Sequence, residues 1–197
     1  MIHILTATYS VFRPFGGRDT GPVELDMGCG KGHFTVDLAA RYPERSILGA
    51  DIMLGRLRKV ASKARRLHLS NVELLRSQNR ELAAFQLPAR SVQRLHLLCP
   101  DPWPKDKHRD KRLVTTDFLC RLRRILVPGG VLHLATDHDP YFEDWQRMLA
   151  DLPFFERDDD AIADIADLRT GFERQWMEQG KTVPHMAFRC VDDRTCP

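Results

Sequence analysis

Residues 24–34 read ELDMGCGKGHF, and this short stretch decides the fold class. Three glycines, Gly28, Gly30 and Gly32, follow an apolar run in which Asp26 is the last acid. Glycine lets the backbone turn tightly and lets a ligand approach it closely. The pattern is typical of a strand that turns at once into a helix beside a ligand, although an ordinary tight turn would also produce it.

The glycine spacing separates this loop from two common nucleotide loops. The dinucleotide fingerprint GxGxxG places its third glycine one residue later, where this sequence has His33. A phosphate-binding P-loop needs Gly-Lys-Ser/Thr, which does not follow here. The loop therefore favours a nucleotide-type ligand of another kind.

Outward from the loop, strand-like apolar runs alternate with helix-like stretches. The strand-like runs are Val23–Met27, Ser46–Ala50, Val72–Leu75, Val92–Leu98 and Val131–Ala135, with His185–Cys190 as a candidate last strand. The helix-like stretches are Gly32–Arg41, Leu54–Leu67, Thr116–Leu126 and Tyr141–Leu149. Such alternation predicts an α/β fold with a doubly wound, mostly parallel sheet flanked by helices.

Length and composition predict one domain in the cytoplasm. The 197 residues are 43% hydrophobic, which is enough for one core. We expect a single domain over 1–197, with an irregular lead-in at 1–20 and a tail at 191–197. No apolar run reaches membrane-spanning length, and the first residues lack a basic segment followed by an apolar one.

The cysteines and the charges narrow the possible partners. None of the five cysteines lies in a CxxC pair or near a histidine at zinc spacing, so we expect reduced thiols and no metal. Residues 1–150 hold 24 basic and 16 acidic residues, whereas residues 151–197 hold 6 and 11. A basic body of this kind suits a polyanionic partner.

A polar side chain stands at or just after most predicted strand ends, where parallel sheets bind their ligands. These residues are Asp26, Asp51, Asn79, Asp101 and Asp137. Asp51 lies 23 residues after Gly28, a spacing at which an acid accepts hydrogen bonds from ribose hydroxyls. Together with Asp26, which could meet an ammonium group, this favours S-adenosylmethionine as the cofactor, with NAD as the alternative.

The stretch 97–113, LLCPDPWPKDKHRDKRL, follows the fourth predicted strand. Prolines on either side of Asp101 stiffen the backbone and hold its carboxylate at the strand end. Trp103 either stacks on a base or covers the core. The basic residues beyond it indicate a clamp on a phosphate backbone, formed by Lys105, Lys107, Arg109, Lys111 and Arg112.

Four motifs in a fixed order point to a family: PDPWPK at 100–105, HRDKR at 108–112, ATDHDPY at 135–141 and TGFE at 170–173. On these, from about Val23 to about Arg189, the chain resembles the bacterial tRNA (guanine-N7-)-methyltransferases. The resemblance implies a Rossmann-like methyltransferase fold that uses S-adenosylmethionine. It also implies methylation of N7 of a guanine in the tRNA variable loop, giving 7-methylguanosine.

The resemblance further assigns roles by motif. It implies that the cofactor is bound by Asp26, Gly28, Gly30, Gly32, Asp51 and Asn79. Asp101 would be the active-site acid, close to the cofactor and the transferred methyl group. The implied tRNA contacts are Lys105, Asp137, Thr170, Gly171, Phe172 and Glu173. The sequence departs from the usual family pattern at Asp26 and Asp51, where Glu is common, and at Asn79, where Asp is common.

Two other functions are open at this point. A methyltransferase of another RNA, of a protein or of a small molecule would leave the basic arm unexplained. A non-catalytic RNA-binding relative would leave the intact acids without a purpose. The implied partner is tRNA, with no DNA and no membrane partner, and the sequence does not define an oligomeric state.

Overall fold

The computed structural model describes residues 1–5, 10–17 and 23–191, except for the side chains of residues 106 and 109. Its strands are β1 (Ile2–Ile4), β2 (Val23–Met27), β3 (Ser46–Asp51), β4 (Val72–Arg76), β5 (Val92–Leu98), β6 (Leu126–Ala135), β7 (Phe155–Arg157) and β8 (His185–Cys190). Its helices are α1 (His33–Arg41), α2 (Leu54–Arg66), α3 (Asn79–Glu81), α4 (Thr116–Ile125), α5 (Asp139–Ala150) and α6 (Gly171–Glu178). A π-helical turn at Leu82–Gln86 extends α3, and 3-10 turns lie at Pro14–Gly17, Asp106–Lys111 and Asp159–Ile165.

The strands form one sheet in the order β1-β4-β3-β2-β5-β6-β8-β7. Neighbouring strands are parallel, except that β8 runs antiparallel to both β6 and β7. The strand order reverses between β2 and β5, and ligands of such sheets bind at this switch point, beyond the carboxyl ends of the strands. The glycine loop after β2 and the stretch after β5 therefore lie side by side.

The helices form because their apolar residues repeat on one face. In α4 the buried residues are Phe118, Leu119, Leu122 and Ile125, and Thr115 caps the helix by accepting a hydrogen bond from the Phe118 N–H at 3.2 Å. In α2 only Leu57, Val60 and Ala64 are buried, and the rest of the helix is largely basic.

Two hydrophobic clusters cover the two faces of the sheet. One contains residues of α4 and α5. The other contains residues of α1, α2 and the Asp159–Ile165 turn. Apolar residues fill successive positions of the central strands because both faces are covered. Leu74 and Leu75 of β4, for example, are both buried, but in different clusters.

The predicted α/β fold is confirmed, and the five predicted strands, the candidate last strand and the four predicted helices are all present. The lead-in expected to be irregular contains β1, which pairs with β4 through Ile2 and Leu74. Three-residue strands such as β1 and β7 are too short to show a periodicity. Residues 6–9 and 18–20 of the lead-in, residues 21 and 22, and residues 192–197 of the predicted tail lie outside the described residues.

Two further findings concern the thiols and the membrane. Cys29 and Cys99 are free thiols, whereas Cys120 is disulfide-bonded, so the expectation of reduced thiols is wrong at Cys120. Within the described ranges, no helix combines the length and the apolar character needed to cross a membrane.

Candidate active site

The glycine loop joins β2 to α1 with left-handed backbone angles that favour glycine. Gly28 has a φ of 86° and Gly32 a φ of 70°. A Cβ on Gly32 would lie 2.5 Å from a methyl carbon of Val60, so α2 packs directly against the loop backbone. The loop is fixed to the sheet because the N–H groups of Gly28 and Cys29 both donate to the Ala50 carbonyl, at 2.8 and 2.9 Å.

Asp51 at the end of β3 is buried and bonded to backbone on both sides. Its carboxylate accepts hydrogen bonds from the Gly30 N–H at 3.1 Å and the Met53 N–H at 2.7 Å. Arg56 in the first turn of α2 approaches the same carboxylate at 3.5 Å. A carboxylate has about four lone-pair sites, so this one can still accept bonds from a ligand's hydroxyls. The loop and the predicted ribose acid therefore orient each other.

Asp26 is a buried acid beneath the loop. Thr35 of α1 donates a hydrogen bond to it at 2.5 Å. Burial, together with the charges of Asp51 and Glu173, raises the pKa of Asp26 to about 7, although the hydrogen bond from Thr35 lowers it. This environment disfavours a bare carboxylate and would favour one that meets a cationic ligand.

Two cavities of about 510 and 520 Å³ lie at the carboxyl edge of the sheet and share part of their lining. The first is lined by Asp51, Asn79, Trp103 and Lys111, among others. The second is lined by Asp26, the glycine loop, Asp137 and Thr170–Phe172. The residues common to both are Gly28, Arg56, Leu98, Cys99 and Asp101. A larger cavity of about 710 Å³ near α4 and α5 is lined by Arg112 of the predicted clamp but by none of the predicted catalytic, cofactor-binding or tRNA-contacting residues.

Asp101 stands exposed on the lining that the two cavities share. The loop that carries it contains two non-glycine residues in the left-handed region, Cys99 with a φ of 51° and Trp103 with a φ of 42°. Such angles are costly and persist where the surroundings impose them. Here the Cys99 N–H donates to the Ala135 carbonyl at 2.8 Å, and the Pro102 carbonyl accepts from Arg112 at 3.0 Å.

The predicted basic clamp needs correction at one position. Arg112 is buried and forms an ion pair with Asp144 of α5 at 2.9 Å, so it anchors the Asp101 loop and is not available to a phosphate. Lys105 and Lys107 are exposed and line neither cavity. The Lys111 ammonium lies 5.0 Å from the centre of the Trp103 ring, which lines the first cavity.

The TGFE motif divides into two parts. Thr170, Gly171 and Phe172 line the second cavity. Glu173 was predicted to contact tRNA, but its side chain is buried and turned inward. It accepts a hydrogen bond from the Thr170 N–H at 2.8 Å in a capping box and bonds to His185 at 2.7 Å. Glu173 therefore holds the cavity-lining residues in this structure and does not line the cavity itself.

Sequence reasoning missed two residues of this site. Arg56 lines both cavities and contacts Asp51. Its position in the first helical turn after a strand-end acid could have indicated this role. Thr35 binds Asp26, and a threonine on the inner face of a helix that follows a glycine loop gives no local signal of that contact.

Comparison with known proteins agrees with this geometry. Residues 20–186 match the family described as "putative methyltransferase". A tRNA (guanine-N(7)-)-methyltransferase from Chlorobium phaeobacteroides is 35% identical over 162 residues, which cover 82% of this chain and 78% of that protein. The enzyme of the same name from Thermus thermophilus is 35% identical over 87% of this chain but only 55% of its own length. The solved structure of the 16S rRNA methyltransferase KamB matches with a TM-score of 0.63 at 19% identity, over 88% of this chain and 90% of that one.

A parallel sheet with a glycine loop and acids at its carboxyl edge defines a Rossmann-like methyltransferase. Within that class, the chain belongs to the tRNA (guanine-N(7)-)-methyltransferase family.

Proposed function

We propose that this chain transfers the methyl group of S-adenosylmethionine to N7 of a guanine in the tRNA variable loop, forming 7-methylguanosine. Family membership supports the reaction class. The observation that carries the proposal is the position of Asp101. It lies on a constrained loop, on the lining shared by the cavity that contains Asp51 and Asn79 and the cavity that contains Asp26 and Thr170–Phe172.

The residues of the cleft fit S-adenosylmethionine. Asp51 would accept bonds from the ribose hydroxyls, and Asn79 can both donate to and accept from an adenine edge. Asp26, whose pKa is raised to about 7 mainly by burial, would receive the ammonium group. Gly28 leaves the loop backbone open to close approach on the lining common to both cavities. When bound, the cofactor supplies a methyl group on a positively charged sulfur.

Asp101 would hold the guanine and stabilise the charge that it gains. N7 of guanine attacks through a neutral lone pair, so no general base is needed. The Asp101 carboxylate can accept hydrogen bonds from the guanine N1–H and amino group. These donors become more acidic as the ring gains positive charge, so the bonds strengthen in the transition state. The fixed loop around Asp101 keeps the base in line for transfer.

Asp137 and Thr170–Phe172 would form the opposite wall around the RNA. Phe172 is an exposed aromatic ring there, and exposed rings stack on unpaired bases. Lys105 is exposed on the loop beyond Trp103 and would contact a phosphate. Because the proposed substrate is tRNA, we place the protein in the cytoplasm. We also treat residues 1–197 as one methyltransferase domain.

The test uses an unmodified tRNA transcript and S-adenosylmethionine labelled in the methyl group. We expect the label in 7-methylguanosine when the nucleosides are separated and weighed by mass spectrometry. The matched control is the same tRNA with 7-deazaguanosine at the variable-loop guanine, because a carbon then replaces N7 and methylation should stop. Label in another nucleoside, or unchanged labelling of the deaza tRNA, would contradict the proposal.

A further inference from the structure

Five side chains form a continuous line of hydrogen bonds from β2 to α6. We call this line the histidine chain; its members, in order, are Glu24, His96, His133, His185 and Glu173. The joining distances are 3.0 Å from Glu24 Oε2 to His96 Nε2, 2.9 Å between the two Nδ1 atoms of His96 and His133, 2.8 Å from His133 Nε2 to His185 Nδ1, and 2.7 Å from His185 Nε2 to Glu173 Oε1. Four members are buried, and the His185 side chain keeps 20% of its exposure.

The geometry is that of hydrogen bonds and not of a metal site. Metal ligands converge on one ion at about 2.0–2.3 Å. In the histidine chain, each ring nitrogen faces one partner of its own, and the contacts follow one another in a line. In the part of the chain that the structure describes, no group of three or more such residues is arranged to hold a metal.

Three neutral histidines do not supply enough protons for the four hydrogen bonds of the histidine chain. Each of the four contacts needs one proton between its two heavy atoms. Ionised Glu24 and Glu173 only accept, and a neutral imidazole carries one N–H and one lone pair. Three neutral histidines therefore supply three protons for four bonds. If His96 and His185 donate to the carboxylates, then His133 must donate from both of its nitrogens.

The two carboxylates do not hold the fourth proton. Burial alone would raise the pKa of Glu24, but bonds and charges from His96 and Arg94 bring it down to about 2. The pKa of Glu173 is also lowered against the effect of burial, chiefly by its bond to His185. The additional proton is thus on an imidazole.

We infer that the histidine chain holds one proton more than three neutral imidazoles supply, and that through Glu173 it positions Thr170–Phe172 at the active site. The link is the capping box, in which Thr170 and Glu173 bond to each other in both directions at 2.8 and 3.1 Å. Gly171 is packed so closely on His33 that an added Cβ would lie 2.4 Å from a ring nitrogen. The positioning role rests on the proposed function, whereas the proton count does not.

The surroundings of the histidine chain affect its additional proton in two opposite ways. Burial lowers the pKa of both His96 and His133, which disfavours an imidazolium. Against this, two facing lone pairs do not approach to 2.8–2.9 Å, so the contacts require the proton. The charged and titratable groups facing the two ends are Arg45, Arg94 and Asp164 near Glu24, and Arg169, Asp26 and Cys99 near Glu173.

Loss of the additional proton at high pH should break the histidine chain at its most exposed residue, His185. His185 is partly exposed, so the contact between His133 and His185 would separate first. Glu173 would then lose a partner, and the anchor of Thr170–Phe172 would weaken. We expect tRNA affinity to fall by about fivefold as this proton leaves, which is the equivalent of one hydrogen bond.

Glu173→Gln tests the proton count because the glutamine amide supplies the fourth donor, so that no additional proton is needed. The amide oxygen can accept from the Thr170 N–H, and glutamine is an accepted residue at this place in a capping box. The amide NH₂ can donate to His185 Nε2. Each member of the histidine chain then donates to the next one, from the glutamine at one end to Glu24 at the other. Three neutral histidines and the amide therefore satisfy all four contacts. Glu178→Gln, an exposed residue of the same helix, is the matched control for the change in charge.

The decisive measurement is a long-range ¹H–¹⁵N spectrum of protein labelled with ¹⁵N-histidine. At pH 8, exposed histidines with pKa values near 6.5 are neutral, so an imidazolium signal reports the chain. We expect one such signal in the parent and in Glu178→Gln, and none in Glu173→Gln. A parent spectrum with only neutral imidazoles would overturn the inference, and this result does not depend on whether the variant folds.

The positioning role is tested separately by filter binding of tRNA between pH 8 and pH 10 at constant salt. The parent and Glu178→Gln should lose affinity as the imidazolium signal disappears, whereas Glu173→Gln should show no corresponding step. If the signal titrates in the parent and tRNA affinity does not follow it, the chain does not position the active site. If the protein does not bind tRNA at all, the proposed function fails while the spectrum still decides the proton count.

Discussion

Cofactor binding should depend on pH through Asp26. A cationic ligand binds the ionised form of this acid, and burial raises the pKa of Asp26 to about 7. At pH 6 only about a tenth of the molecules are ionised at Asp26, whereas at pH 8 about nine-tenths are. The apparent affinity for S-adenosylhomocysteine, which retains the ammonium group, should therefore be about tenfold weaker at pH 6 than at pH 8.

The same shift has a cost in stability, and its sign follows from linkage. The folded pKa of about 7 lies above the ordinary value of 3.8, so the folded state holds a proton that the unfolded state releases. Stability is therefore lost as pH rises from about 4 to about 7. The rise in pKa from 3.8 to about 7 corresponds to roughly 4 kcal/mol. Asp26→Asn avoids this cost, so without added ligand the variant should be more stable than the parent at pH 8 and about as stable as the parent at pH 4.

Calorimetry and thermal unfolding test both consequences. At pH 8, Asp26→Asn should bind S-adenosylhomocysteine about 10- to 100-fold more weakly, because a charged acceptor is lost. Its affinity should also no longer change between pH 6 and pH 8, while its unfolding temperature at pH 8 should be higher than that of the parent. Asp160→Asn, an exposed acid far along the chain, serves as the control. A parent affinity that is flat from pH 6 to pH 8 would refute the assignment of Asp26 to the cation.

Three further outcomes are expected. Asp101→Ala should lower the single-turnover rate of tRNA methylation by about two to three orders of magnitude while changing S-adenosylhomocysteine affinity far less; a rate within a few-fold of the parent would make Asp101 structural. Gly32→Ala should destabilise the protein by about 1–3 kcal/mol in denaturant unfolding, because its Cβ would meet α2 at 2.5 Å, whereas Gly55→Ala, with nothing within 4 Å of its Cβ, should not. Replacing Lys105 and Lys107 together by Ala should flatten the dependence of log affinity for tRNA on log salt by up to about one unit per lost contact, and a parent-like slope would place the phosphates elsewhere.

Local patterns were sufficient to predict the central sheet because each of its strands is a run of apolar residues beside a turn signal. The glycine loop and Asp51 could be placed for the same reason, since strand, turn and acid follow each other closely. The positions of Arg112 and Glu173 could not be predicted in this way. Arg112 belongs to a basic run, but Asp144 draws it inward from 32 residues away along the chain. Glu173 belongs to a recognisable motif on α6, but its orientation depends on His185 of β8.

The active site separates two kinds of charge, and this separation explains how it could accept a cation and a polyanion together. Its floor is acidic, since Asp26 lies close enough to Asp51 and Glu173 for both charges to raise its pKa. Its rim on the α1 and α2 side is basic. There the pKa of His33 is lowered first by burial and then by Lys63, Arg174 and Lys31, with only Asp37 opposing them.

A cationic cofactor would be attracted to the floor, where the three acids are buried and charges act strongly. On the proposed function, the RNA backbone would be attracted to the rim, where solvent and salt weaken each contact and many contacts are needed. Asp101 is the acid that stands between these regions, exposed but on the lining of both cavities. During transfer, positive charge moves from the sulfur to the guanine and therefore away from the acidic floor. An acid at the point where that charge arrives would stabilise it, and this is the role that we propose for Asp101.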